Sequence, residues 1–175
     1  MSRLARILGG GDMDLAGLDV KTLLSAAIDA EIRAGDIYRK VANRVKNYVL
    51  KERLTFLAGE EDKHRGFLQG LFSKTYPDEQ PLEVPEGKVP LPAIKVDTEL
   101  DPISRILEQA MYAEAAAKDF YASLADRVED AETSRMLRFL SSMEEGHYKL
   151  LENELENARR FEDYENMWDM MHVGP

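Results

Sequence analysis

Residues 59–64 read GEEDKH, and residues 143–147 read MEEGH. Each string sets a glutamate and a histidine three positions apart within a stretch of helical periodicity. One Glu-x-x-His of this kind is a weak signal that reads more readily as a solvated helix face. The two strings, however, belong to longer segments that superpose without a gap at an offset of 83 residues. EIRAGDIYRKVANRV (31–45) lies over EAAAKDFYASLADRV (114–128) with seven identities in 15. RLTFLAGEEDKHRGFL (53–68) lies over MLRFLSSMEEGHYKLL (136–151) with six in 16. Chance pairing at average composition gives roughly two identities over that length, so the chain reads as an internal duplication.

Most of the matched residues are what two copies of an apolar core retain: Leu54 and Leu137, Phe56 and Phe139, Leu57 and Leu140, Ala42 and Ala125. Three matched pairs are ionisable: Glu31 with Glu114, Glu61 with Glu144, and His64 with His147. Such groups on a core-facing stripe are costly to bury unless they are paired or hold a metal. The register also separates neighbours. Glu61 aligns with Glu144 whereas Glu60 aligns with Met143, which assigns Glu60, and likewise Glu145, to the surface.

Outward from these strings, apolar residues recur at steps of three and four from Leu18 to about Lys74, as a core-facing helical stripe requires. Asn47 divides this stretch into a first helix (about 19–46) and a second (about 48–74), which it caps. Residues 73–102 contain six of the seven prolines and have no helical period. Proline fixes φ and removes a donor, so this stretch is an extended connection. A link of ~30 residues without secondary structure is rare inside a compact domain, and it fits a crossover running the length of a bundle. Helical periodicity resumes after Pro102, with Asp101 as cap, to about Glu129; Asp130 caps a fourth helix reaching the high 150s or beyond. The expected fold is all-α: a single ferritin-like four-helix bundle over 1–175, with hairpins at 19–74 and 102–160 and a crossover at 75–101. The segment LARIL and Gly9–Gly11 form a short amphipathic piece and a hinge. The Met- and aromatic-rich tail 161–175 is expected to be a short extra helix packed on the bundle or on a second subunit.

Residues i and i+3 lie about 60° apart around a helix and one turn along it, so Glu61 and His64 face one cavity. Glu144 and His147 do the same from the opposite helix, and Glu31 and Glu114 each add a carboxylate. Four carboxylates and two imidazoles then converge at mid-bundle, and two divalent cations would neutralise the four charges. One Glu from each of two helices and Glu-x-x-His from each of the other two is the donor arrangement of di-iron and di-manganese carboxylate bundles. The competing reading is a duplicated bundle that keeps these residues without metal.

At these residues the chain resembles the ferritin-like superfamily, and specifically the rubrerythrin di-iron domain, over roughly residues 20–155. The resemblance implies two iron ions, with Glu61 and Glu144 bridging, Glu31 and Glu114 as terminal carboxylates, and His64 and His147 each on one iron. Manganese or zinc would also suit these mixed oxygen and nitrogen donors. The resemblance further implies an oxidoreductase that reduces hydrogen peroxide or O₂. Two departures matter. The chain has no cysteine, so it cannot build the iron–sulfur rubredoxin domain that usually delivers electrons, and a separate electron-donor protein is expected. Rubrerythrins also tend to carry an extra glutamate three residues after the one matching Glu114, and here that residue is Ala117.

Tyr38 and Tyr121 also match at the offset, seven residues after the glutamates. They read as core tyrosines, or as hydrogen-bond donors to a site carboxylate with a local redox role. Asp36 and Asp119 match but lie well round the helix, on a surface or interhelix contact. His172 and the Met167–Met171 stretch have no counterpart and are not assigned to the metal.

The formal net charge is −10, which argues against nucleic acid and anionic membranes as partners. No apolar run approaches the ~18 residues of a membrane span, and the N-terminal stretch does not read as a signal peptide. Absence of cysteine fits a reducing compartment, so a cytoplasmic protein is expected. Three functions remain open at this level: the oxidoreductase, an iron-storage or ferroxidase protein in a cage, and a non-catalytic interaction bundle. The long link also permits a homodimer that exchanges hairpins.

Overall fold

The computed structural model describes Leu15 and residues 17–172, with side chains described to Tyr164. The LARIL segment and Gly9–Gly11 lie outside the described residues. The described residues form four helices: α1 (Val20–Arg44), α2 (Tyr48–Thr75), α3 (Ile103–Ala125) and α4 (Ala131–His172). There is no strand among the described residues. The chain is an all-α bundle with ferritin-like topology.

The helix starts are fixed by side-chain oxygens that satisfy otherwise unpaired backbone N–H groups. Asp19 accepts from the Thr22 amide at 2.7 Å, Asn47 from Leu50 at 3.1 Å, and Asp130 from Thr133 at 2.8 Å. The third helix departs from expectation. Pro102, not Asp101, stands at the cap and makes no side-chain cap bond. The Asp101 carboxylate is engaged elsewhere, accepting from the Asp97 amide at 2.8 Å and from Arg105 at 3.0 Å.

The tail is also different from expectation. Instead of a separate short helix, α4 runs unbroken from Ala131 to His172. No proline or glycine interrupts residues 161–172, so nothing in the backbone ends the helix when the composition changes. The side chains of Met167–Met171 and His172 lie outside the described residues; Phe161 is exposed.

The core falls into two apolar clusters, one towards each end of the bundle. One holds Leu23, Leu24 and Ile28 of α1, Leu68 and Phe72 of α2, Phe120 and Leu124 of α3, and Leu137 and Leu140 of α4. The other holds Val41 of α1, Leu54 and Leu57 of α2, Ile106 and Leu107 of α3, and Leu151 and Leu155 of α4. The order in which each helix visits the two clusters gives its direction: α1 up, α2 down, α3 down, α4 up. Because α2 and α3 run the same way, the chain between them must return along the whole bundle. Val89 is buried in the first cluster and Leu91 packs against it, while Ile94 and Val96 pack against the second. The crossover is held to α1 at both ends: the Leu82 amide donates to Ser25 Oγ at 2.9 Å, and Arg44 donates to the Thr98 and Asp101 carbonyls at 3.0 and 2.7 Å.

One expectation for the core fails. Leu54, Leu57, Leu137 and Leu140 are buried, but Phe56 and Phe139 are 51% and 56% exposed. At about 100° per residue, a helix that aims Leu57 and Glu61 inward must turn Phe56 outward. Among the described residues, no helix is long and apolar enough to cross a membrane. Leu54→Ala should therefore destabilise the protein by about 2–5 kcal/mol, whereas Phe56→Ser should change stability by less than about 1 kcal/mol. Urea unfolding followed by circular dichroism separates the two.

Candidate metal centre

Between the two apolar clusters the bundle carries a polar layer. Glu31 of α1, Glu61 and His64 of α2, Glu114 of α3, and Glu144 and His147 of α4 are all buried. The structure thus brings together all six residues singled out by the repeat. Donor atoms of Glu61, His64, Glu144 and His147 lie within 4.8 Å of one another. The imidazoles stack at 5.3 Å between ring centroids, and both Nδ1 atoms face the carboxylates.

The contacts divide the four glutamates into two kinds. Glu144 reaches both histidines, with Oε1 2.9 Å from His64 Nδ1 and Oε2 3.0 Å from His147 Nδ1. Glu61 also reaches both, at 3.4 Å from His64 and 3.3 Å from His147. Glu31 approaches only His64, at 3.7 Å, and Glu114 only His147, at 3.6 Å.

Behind these carboxylates stand the two matched tyrosines, both fully buried. Each donates its hydroxyl across the repeat: Tyr38 to Glu114 Oε1, and Tyr121 to Glu31 Oε1. The sequence leaves a core role and a hydrogen-bonding role open for these tyrosines, and the structure gives them both.

Burial and crowding govern the titration of this layer. Burial, reinforced by the charge of Glu114, raises Glu61 well above the ordinary carboxyl range and Glu144 to about 8. Glu114 is the exception: burial works to raise it, but the neighbouring His147 and Glu144 side chains prevail and lower it. Burial opposes charging of His64, yet the carboxylates of Glu144, Glu31 and Glu61 outweigh it and push the ring up to about 12. His147 is raised in the same way, by Glu114, Glu144 and Glu61 against its burial.

Protons alone leave the layer poorly satisfied. Both oxygens of Glu61, Glu144 Oε1, His64 Nδ1 and His147 Nε2 are buried without a hydrogen bond. His64 Nδ1 is close to Glu144 Oε1 but out of line for a hydrogen bond, so proximity there is not satisfaction. Buried polar atoms are nearly always paired, and each orphan costs about 1–3 kcal/mol. A set of carboxylate oxygens and imidazole nitrogens facing one another with unfilled valence suits divalent cations of the iron, manganese and zinc type.

Other residues are placed beside the layer without joining it. Glu60 is buried rather than on the surface, where it forms an ion pair with Lys63; Glu145 is exposed and pairs with Lys149 at 2.5 Å. Asp36 pairs with Arg39 at 2.9 Å and Asp119 with Lys118 at 3.5 Å, both away from the histidines. Nothing in the repeat singles out Gly35, which lies over Lys118. A Cβ at Gly35 would stand 3.4 Å from Glu61 Cβ, an ordinary van der Waals contact, and 3.3 Å from the movable Arg39 guanidinium, so this position of α1 lies directly against Glu61 of α2.

Fold and polar layer together define a ferritin-like bundle able to hold a metal pair. The family profile of rubrerythrin matches residues 22–155, and the chain belongs to the rubrerythrin family. Among solved structures, it is similar to a hypothetical protein from Pyrococcus furiosus at 34% sequence identity and a TM-score of 0.77. That likeness covers 85% of this chain and 95% of the other. A search of curated proteins finds no match.

Two outcomes follow. Ligands must be deprotonated to bind a metal, and without a cation His64 and Glu144 hold protons at pH 7. Zinc uptake by metal-free protein should therefore release protons, and its affinity should rise with pH. Calorimetry in buffers of different ionisation enthalpy measures this; uptake independent of buffer and pH would contradict it. Tyr38→Phe keeps the apolar contacts but strips a donor from Glu114. It should cost about 1–3 kcal/mol of metal-free stability, measured by chemical denaturation in the presence of a chelator.

Proposed function

We propose that this chain is a di-iron oxidoreductase of the rubrerythrin type, reducing hydrogen peroxide or O₂. The observation that carries the reading is the division of the four glutamates. Glu61 and Glu144 each turn one oxygen to each histidine, as bridging carboxylates would. Glu31 and Glu114 each attend one histidine, as terminal ligands would. Glu31 and His64 would hold one iron, Glu114 and His147 the other, with Glu61 and Glu144 shared. Bound iron supplies two electrons, one from each ion, together with Lewis acidity towards the oxidant.

The residues of the chain do the rest. Reduction of one hydrogen peroxide to two waters takes two electrons and two protons. Burial of the layer keeps bulk water from the reacting atoms, and the tyrosine hydroxyls fix Glu31 and Glu114 as the charge around them changes. The electrons are restored by a separate donor protein, since this chain has no cysteine to hold an iron–sulfur centre. Phe56, Phe139 and Phe161 leave apolar surface exposed, which supports assembly as a small homodimer.

Anaerobic titration of metal-free protein with iron(II), followed by hydrogen peroxide, tests the reading. About two irons per chain should bind, and peroxide should be consumed with oxidation of two irons per molecule. Glu61→Ala and Glu144→Ala should each lose most of the bound iron and the peroxide turnover. Full loading in both variants would sink the ligand assignment, and elution as a large cage on size exclusion would favour iron storage instead.

A further inference from the structure

Beside the carboxylate layer, between α1, α3 and the crossover, lies a recess of about 40 Å³. Glu31, Glu61, Glu114 and Glu144 line it, and neither histidine does. The recess therefore meets the layer on its carboxylate side. Its walls include Ala30 and Ala34 from α1 and Ala113 and Ala117 from α3. These are matched pairs at the same offset of 83, standing one position before and three positions after each glutamate. Residues 91–94 of the crossover, LPAI, close it from outside.

The volume is set by small side chains. One water needs about 10–15 Å³ of such space, so the recess accepts roughly three waters or one molecule of similar size. Alanine keeps both helices intact while adding a single carbon. A leucine at position 34 or 117 would fill the space, and a carboxylate at 117 would put charge into it. Apart from Arg33 and the four glutamates its walls are apolar, so the cost of desolvating an ion favours a small neutral molecule.

We propose that this recess is a size-selective entry to the carboxylate layer, with Ala34, Ala117 and crossover residues 91–94 deciding what enters. It passes neutral molecules of two or three heavy atoms and excludes organic hydroperoxides. This rests on the reading of the layer as the centre that reduces peroxide or O₂, and the test keeps the two separable.

Three measurements decide it. Crystals of metal-free protein under xenon pressure should show xenon in the recess, and Ala117→Leu crystals should not. Hydrogen peroxide should oxidise iron(II)-loaded protein about a hundred-fold faster than cumene hydroperoxide does, two irons per peroxide, and Ala117→Leu should slow oxidation by hydrogen peroxide about ten-fold at unchanged iron content. Should the helix variant lose iron, Ala93→Trp on the crossover provides the same block from outside the helices. Equal rates with the two hydroperoxides, or blocked variants that keep the wild-type rate at full iron content, overturn the entry while leaving the di-iron reading intact. If the loaded protein reduces neither oxidant, the proposed function fails. Xenon then decides the recess alone: density in wild type and none in the variant upholds it, and an empty recess in wild type overturns it.

Discussion

Four carboxylates and two imidazoles buried in one layer are the constraint on which the rest of this structure depends. Removing a charged group from water costs several kcal/mol even after relaxation, and a group of four like charges raises that cost further. Either protons or cations must cancel the charge. The raised positions of Glu61, Glu144 and both histidines describe the proton solution. The orphaned oxygens and nitrogens show how incomplete that solution is. The layer also divides the core in two, so leucines pack at each end, joined by Phe72 and Phe120 at one of them, and leave the middle to polar groups.

The same constraint explains the topology. A site that needs one carboxylate from each of α1 and α3, and a Glu-x-x-His from each of α2 and α4, is built by bringing two like hairpins together about a shared axis. Facing the hairpins this way sets α2 and α3 parallel, and the chain must then travel back along the bundle. The proline-rich segment does so, anchored to Ser25 at one end and to Arg44 at the other. Its path crosses the polar layer at residues 91–94, so the connection that the topology demands is also a wall of the recess.

Much of this was legible in the sequence because the repeat filters it. A shared offset distinguished Glu61 from Glu60 and linked Glu31 to a partner 83 residues away, and prolines exposed the crossover. What the repeat could not report is direction. Phe56 and Phe139 match as well as any leucine pair, yet identity at matched positions says nothing about which side of a helix faces the core. Glu60 has no matched acid, and its burial beside Lys63 follows from packing that no spacing encodes. The tyrosines were visible as a pair, but two-fold likeness is satisfied equally by bonds within a half or across it. The crossed choice belongs to three dimensions, as does the approach of Gly35 to Glu61.

That crossed choice bears on how the protein is made. While the first hairpin is leaving the ribosome, it carries Glu31, Glu61 and His64 but neither opposing glutamate nor opposing histidine. Tyr38 waits for a residue 76 positions later, and Tyr121 reaches back 90 positions to Glu31. Half a nascent chain therefore offers a cation only a weak, water-exposed foothold. The donor set is complete only once the second hairpin has docked, so uptake of a cation by this layer would follow synthesis rather than accompany it.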